Sequence, residues 1–353
     1  MEFYILNSDF EIIAALDTFK SAIWTRRFYE AGDFEIYAPA NQITLALLVE
    51  GRIVVRADKQ EQAGIIETVK VTTSAEEGDY ILATGHTLQA VLNRRIVWKQ
   101  TTLTGNPEKV LRRLITENLI EAEDNKRIIA QMTLAEPAGI SGTMQAQYTG
   151  DNIGDIVSSV CRENRIGYKV DFSLNAKTFT FSLYEGTDRT FNQNIVPFVV
   201  FSADFDNLLS TDYTEDGSGH KNVIQVAGEG EGTARQKVTV ATTNLGGLAR
   251  KEAFADARDL SSNSGEFTAL TYAQLLEQRG AEALAEARIL EGMESEIAAN
   301  YSSFQIDRDF FLGDLVEIID QYGHEMTPRV IEIIESQDET GYTCIPTFAN
   351  DEE

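Results

Sequence analysis

Apolar and polar residues alternate with a period of two through most of the first hundred positions, the pattern of strands with one buried face. Phe3-Tyr4-Ile5-Leu6, Asn7-Ser8-Asp9 and Phe10-Glu11-Ile12-Ile13 predict strand, turn and strand. Ala22 to Phe28 and Asp33 to Pro39 flank Glu30-Ala31-Gly32 and predict a hairpin, with Phe34 and Ile36 on one face and Glu35 on the other. Arg52-Ile53-Val54-Val55-Arg56 predicts a short buried strand. Ala63 to Thr72 and Tyr80 to Gly85 predict a second hairpin around the acidic turn Ala75 to Asp79. Short strands at this spacing point to a small closed or nearly closed barrel. A short helix is expected from His86 to Arg95, with Leu88, Val91 and Leu92 inward.

The period then changes. Val110, Leu111, Leu114 and Ile115 recur at helical spacing after Gly105-Asn106-Pro107, and Ile153, Ile156, Val157 and Val160 do so after Asp151-Asn152. Gly167 to Phe172 and Thr178 to Tyr184 flank Asn175-Ala176-Lys177 as a hairpin. This is a helix–hairpin unit set between β-rich parts. From Asp204 strand patterns return: Asn222 to Gly228 pairs with Gln236 to Ala241 across Glu229-Gly230-Glu231-Gly232. Leu276, Ala283, Leu290 and Ile297 recur every seventh position and predict one long helix, Thr271 to Ala298. Its stripe is expected to pack on the second β-rich part, leaving Glu282, Glu286, Glu291 and Glu294 to water or a channel. Ser303 to Ile306, Leu315 to Ile319, Arg329 to Glu335 and Gly341 to Pro346 predict closing strands, which with the 222–241 hairpin would complete a second barrel. The expected class is α+β and β-dominated. Its parts are a first barrel over 1–100, an inserted helix–hairpin unit over 101–203, and a second barrel over 204–353 that carries the helix 271–298.

The 353 residues are enough for two or three cores, and 43% hydrophobic with 24% charged is ordinary for a globular chain. No run approaches the roughly 20 apolar residues that span a bilayer. Met1-Glu2-Phe3-Tyr4 lacks the basic start of a signal peptide, so synthesis and assembly in a cytoplasm are expected. Cys161 and Cys344 form no CxxC pair and read as two buried thiols. The net charge of −26 argues against nonspecific binding to a nucleic-acid backbone. It is uneven: residues 251–353 hold 23 acidic and 6 basic residues (−17), and the first 250 hold 33 and 24 (−9).

Candidate chemistry fails on inspection. His324-Glu325 opens like HExxH, but position 328 is Pro. Neither His86 nor His220 has a second His or Cys at ligand spacing. Ser218 in Gly217-Ser218-Gly219-His220 lacks the preceding glycine of a nucleophile elbow, because Asp216 stands there. The glycines of Gly228 to Gly232 enclose two glutamates that would repel a phosphate. Asp212 to Gly217 starts like a calcium loop, but its twelfth position is Val223. No catalytic, cofactor-binding or metal-binding residue is left to name. The cations Arg26, Arg27, Arg94, Arg95, Lys99, Lys109, Arg112 and Arg113 gather in the first third, and in so acidic a chain they are expected to meet acidic surface of another subunit.

Three stretches resemble a known group, the tail hub proteins of long-tailed phages and prophages, similar to the baseplate hub of contractile tails. Trp24-Thr25-Arg26-Arg27-Phe28-Tyr29-Glu30-Ala31-Gly32-Asp33-Phe34-Glu35-Ile36 resembles their opening segment. Gly85 to Ile96 resembles their short helix after the first barrel strands, and Lys221 to Gly230 resembles the entry to the second barrel. The resemblance covers about residues 1 to 348. It implies a non-enzymatic homotrimer whose two barrels per subunit form a ring of six modules joining the tail tube to tip or fibre proteins. DNA and the tape-measure protein would pass through the lumen without specific binding. It also implies a place in the virion tail, with assembly in the host cytoplasm and no membrane insertion. Many relatives of that kind carry a C-terminal hydrolase or receptor-binding extension, and this chain stops at Glu353 after its last expected strand. A trimer would carry 3 × −26 = −78, and acidic walls repel phosphate. Two other classes stay open: a tail-associated peptidase or glycosidase using unidentified carboxylates, and a tail-tip protein that binds host carbohydrate.

Overall fold

The computed structural model describes residues 1–76, 78–205, 207, 210–262, 269–287, 290–296, 304–319 and 325–350. The sequence expectations for Ile297, Ala298, Ser303 and His324 lie outside these residues.

The chain opens with a hairpin, β1 (Phe3–Leu6) and β2 (Ile12–Leu16). The Asn7 side chain holds its turn by accepting from the backbone N–H of Asp9 and Glu11. Next come β3 (Ser21–Arg27), β4 (Asp33–Pro39), the short helix α1 (Gln42–Leu47), β5 (Ile53–Arg56), β6 (Ala63–Ser74) and β7 (Gly78–Thr87). The strands and hairpins expected here are all present. The helix expected from His86 is shorter: His86, opposite Asp33, and Thr87 are the last two residues of β7, and only Leu88–Arg94 coils, as a 3₁₀ helix. The cross-strand bonds of β7 hold His86 and Thr87 before the chain is free to turn.

The middle of the chain supplies β8 (Thr101–Gly105), α2 (Pro107–Ile115), β9 (Met132–Leu134), β10 (Met144–Tyr148), α3 (Ile153–Asn164), β11 (Gly167–Ser173) and β12 (Thr178–Tyr184). Both helices start where the sequence signals it. The Asn106 side chain caps α2 with Pro107 in its first turn, and Asn152 caps α3. A π-helical turn, Thr116–Ile120, continues α2. Val110, Leu111, Leu114 and Ile115 of α2 meet Ile153, Val157 and Val160 of α3 and Phe172, Phe179 and Phe181 of the hairpin in one core.

The last part contains β13 (Val200–Ser202), β14 (Ser210–Asp216), β15 (Val223–Ala227), β16 (Lys237–Ala241), β17 (Glu252–Asp256), α4 (Ala269–Glu286), β18 (Leu290–Glu296), β19 (Glu317–Ile319), β20 (Glu325–Met326), β21 (Arg329–Asp338) and β22 (Gly341–Ala349). Strands β21 and β22 return to the opening strands. One sheet of eleven strands runs in the order β14-β18-β22-β21-β3-β4-β7-β6-β5-β1-β2. The architecture is β-dominated α+β. This sheet does not close on itself among the described residues, because β2 and β14 remain its ends.

Two expectations for the last part change. The hairpin β15–β16 does not join the closing strands. It forms a separate three-stranded sheet with β17, parallel to β15, and α4 covers that sheet. The long helix ends at Glu286, so Leu290 belongs to β18, paired with β14 and β22, and the row of sevenths breaks after Ala283. A seven-residue spacing also places alternate positions of two different elements, and the register with β14 wins over helical continuation. Leu276 is buried on β15 and β16 as expected, but Glu282 is buried too and accepts a hydrogen bond from the Tyr148 hydroxyl at 2.8 Å.

Gly280 shows how close α4 lies to its sheet. A Cβ there would stand 2.6 Å from Val240 Cγ2 and 2.9 Å from Val226 Cγ2. Alanine is favoured over glycine in an exposed helix interior by about 1 kcal/mol. Here Gly280→Ala is nevertheless expected to destabilise by about 1–3 kcal/mol through overpacking. Exposed Glu286→Ala, on the same helix, should stay within about 0.5 kcal/mol of the parent. Urea unfolding of the two variants checks this; a neutral or stabilising Gly280→Ala would place α4 elsewhere.

Candidate functional site

The densest polar constellation lies where the two ends of the chain meet. Antiparallel pairing of β21 with β3 sets Glu335 opposite Trp24 and Glu332 opposite Arg27. The Glu335 side chain is fully buried and is approached by Arg56 Nη1 at 2.9 Å, Lys59 Nζ at 3.0 Å and Arg26 Nε at 3.4 Å. The Tyr342 hydroxyl donates to it at 2.7 Å. The Arg56 and Arg26 N–H bonds do not point at the Glu335 oxygen, so those two contacts are Coulombic rather than directed hydrogen bonds. Asp307 accepts both Arg26 Nη atoms at 2.9 Å and Lys59 Nζ at 2.6 Å, and Asp58 accepts Arg56 at 2.9 and 2.6 Å. Three cations therefore meet three carboxylates.

Burial pushes the Glu335 carboxyl up, but Arg26, Arg56 and Lys59 outweigh it and hold the group below the usual carboxylate range. Asp307 is likewise held down, by Arg26 and Lys59 against its burial. Arg56 is raised despite burial, by Asp58 and Glu335. Every charge has a counter-charge. The arrangement fits a clasp better than an acid–base centre. A cleft of about 630 Å³ opens beside it, between Lys59, Tyr168, Tyr184, Asp307 and Phe311.

Six of the eight cations grouped in the first third, all but Arg94 and Lys109, have partners among the described residues of their own chain. Arg27 holds Asp33 and Glu332, both at 2.6 Å; Lys99 pairs with Glu123 and Arg113 with Glu117. Arg95 donates to Arg127 O, and Arg112 to Ala135 O. The partners Asp307 and Glu332 lie 281 and 305 positions away in the sequence, beyond the reach of any local pattern.

The residues tested for chemistry stay scattered. His86 Nδ1 lies 2.7 Å from Glu67 Oε2, and Ser218 closes a turn on Asp216. The segment that starts like a calcium loop is strand β14 through Asp216. Glu229, at the tip of the β15–β16 hairpin, accepts from the Ser262 hydroxyl at 2.6 Å. Cys161 is buried, and Cys344 is partly buried with its thiol pushed up to about 11, chiefly by burial and then by Glu335. Among the described residues no group of three or more His, Cys, Asp or Glu side chains is placed to hold a metal. No described helix is long and apolar enough to cross a membrane.

The model of the Siphovirus ReqiPepy6 Gp37-like protein family matches residues 2–349. The chain belongs to this family. Among solved structures, this Gp37-like chain is similar to the 43 kDa tail protein of prophage MuSo2 from Shewanella oneidensis, with a TM-score of 0.57, 10% identity, and 99% of each chain covered. The tail protein from Neisseria meningitidis MC58 gives a TM-score of 0.55 at 12% identity, covering 99% of this chain and 96% of that one. Prophage tail protein gp18 from Listeria monocytogenes EGD-e gives 0.55 at 11% identity, covering 99% and 94%. At such identities the likeness is one of fold. No curated protein matches the chain. The Gp37-like chain is thus similar in fold to tail proteins over 99% of its length, as the sequence resemblance implied at the level of the tail family. The ion clasp was missed by sequence reading. The one signal available was the pair of strand-end arginines Arg26 and Arg56, each on a short apolar run.

Proposed function

We propose that this protein is a structural, non-enzymatic subunit of a phage tail, and that it forms the trimeric hub at the distal end of the tail tube. The observation that carries this reading is the fold likeness to three tail proteins over 99% of the chain, together with family membership over residues 2–349. In this reading the β-rich parts, 1–100 and 204–353, are barrel-like modules around the inserted unit 101–203, and three copies set six modules in a ring. The open ends of the large sheet, β2 and β14, support it, since unpaired strand edges invite pairing with another copy. So does the charge of −26 per chain, which suits a lumen that DNA and a tape-measure protein cross without sticking. The neighbours would be a tail-tube protein above and tip or fibre proteins below, in a virion tail assembled in the host cytoplasm.

Light scattering of the pure protein tests the ring. Three times the chain mass of 39.2 kDa is the expected result, with labelled antibody on particles binding at the distal tail. A protein that stays monomeric at all concentrations and is absent from the tail would overturn the reading. So would turnover of peptidoglycan by the pure chain.

A further inference from the structure

The loop between the 3₁₀ helix and β8 carries Trp98, whose side chain is 65% exposed, an unusual state for so large an aromatic. The indole is nevertheless held in place. The Arg127 guanidinium lies over its ring at 5.1 Å from the centroid. Arg127 is itself tied to Ile96 O at 2.7 Å and to Asn118 Oδ1 at 3.3 Å, and the Trp98 backbone N–H donates to the same Asn118 oxygen. Asn118 is buried, and its Nδ2 donates to Leu114 O. It sits on the π-helical turn Thr116–Ile120, a distortion that recurs at functional sites. With one face covered by Arg127, an exposure of 65% leaves the other face of the ring to solvent.

The indole forms one wall of a cleft of about 890 Å³. Trp98 is the single apolar side chain among the residues that line it. The lining carries four cations and four carboxylates, a net charge of zero in a chain of −26, and Lys99–Glu123 and Arg113–Glu117 are already paired within it. A charge-balanced lining gives no monopole to hold an anion, a cation or a nucleic-acid backbone. A protein partner anchored on a tryptophan would find apolar surface around that anchor. What the cleft offers is one rigid aromatic plane bordered by hydroxyl, amide and charged groups that can both donate and accept.

We propose that this cleft binds a neutral oligosaccharide, a β-linked chain of gluco-configured pyranoses, with one sugar ring stacked by its C–H face on the open side of Trp98. The hydroxyls around such a ring point outward in its plane, towards the polar rim. Because the indole is fixed before binding, little ordering cost opposes a weakly attractive ligand. The site belongs to the single chain and is independent of whether three copies form a ring.

The sequence has two tryptophans, and Trp24 is fully buried, so ligand-dependent fluorescence reports on Trp98. The full chain is titrated with chitotetraose and, separately, cellotetraose, by fluorescence with acrylamide quenching and by calorimetry. The expected result is a saturable spectral shift and reduced quenching with at least one of them. Trp98→Ala should abolish the heat while leaving the unfolding transition in place, since the side chain is exposed. Arg127→Met, which frees the indole, should weaken binding by about tenfold, or 1.4 kcal/mol. Absence of saturable heat with both saccharides would overturn the proposal, as would binding unchanged by Trp98→Ala. Protection of Trp98 that tracks protein concentration and not sugar would also overturn it, marking the surface as a contact between copies.

Discussion

Glu335→Ala is expected to lower stability by about 3 kcal/mol, the low end for breaking a buried ion pair, because Arg56 loses its buried partner and keeps only the half-exposed Asp58. The Glu335 side chain is 0% exposed and that of Arg56 is 1%. Arg26 and Lys59 lose the same partner but keep Asp307. Lys20→Ala is the control: its pair with Glu339 lies just beyond the far ends of the same two strands, in water, and its loss should barely move the transition. Replacing Arg56 and Glu335 together by Met and Leu should cost less than Glu335→Ala alone, since neither desolvated charge then remains. The pH dependence follows from the direction of the shifts. Glu335 and Asp307 sit below their usual values of 4.5 and 3.8 when folded, so their contribution is complete above those values. It is lost as pH falls through the folded values. Glu282 runs the other way: burial raises it, so its contribution is present below 4.5 and is lost as pH rises through the raised value. Urea unfolding from pH 3 to pH 7 should therefore show acid loss that flattens in Glu335→Ala. A variant as stable as Lys20→Ala, with the parent's pH profile, would remove the clasp from any account of how the chain ends are joined.

Much of the fold was legible because it is local. Period-two alternation marks β3, β4, β6 and β7, and their turns hold Gly or acidic residues that no strand interior wants. Asn106-Pro107 and Asn152 announce helix starts through capping chemistry that acts within three residues. What was hidden depends on pairing. That β21 lies against β3 rather than closing a second barrel involves partners some three hundred positions apart, with Glu332 opposite Arg27 and Glu335 reaching Arg56. The end of α4 was hidden for a related reason. Leu290 at the next seventh position fits a helix stripe and a strand equally, and only the presence of β14 beside it selects the strand. The candidate sites carry no motif at all. Arg26 and Arg27 read as an exposed basic patch until their acids arrive from the other end of the chain. Trp98 reads as one more aromatic near cations until the π-helical turn brings Asn118 beneath it.

Trp24→Ala is expected to cost about 3–5 kcal/mol, the range for truncating a large aromatic in a packed core. Trp24 is fully buried on β3 and stacks on Phe34, with ring centroids 5.3 Å apart at 20°, and on Phe3 at 6.2 Å and 28°. Phe34 in turn lies on a floor of two glycines, because a Cβ at Gly64 would stand 2.6 Å from its Cε1. At Gly85 a Cβ would stand 1.9 Å from Ile65 O, so the floor cannot drop to fill a void left above it. The tryptophan therefore props a stack whose base is fixed backbone, and its removal opens a cavity that little can collapse into. The indole also carries a liability: Nε1 is buried without a hydrogen-bond partner among the described residues. Trp24→Phe removes that orphaned donor while keeping an aromatic ring on Phe34, and relief of the unpaired N–H offsets part of the lost volume. Its cost should stay below about 1.5 kcal/mol. Strand β3 is also the strand that pairs with β21, so the alanine variant should lose the opening and closing strands in one transition. Equilibrium unfolding followed by far-ultraviolet circular dichroism, which needs no tryptophan, compares the three proteins. Equal losses for Phe and Ala would mean that the indole nitrogen holds a partner after all, and that the stack on Phe34 is not what Trp24 contributes.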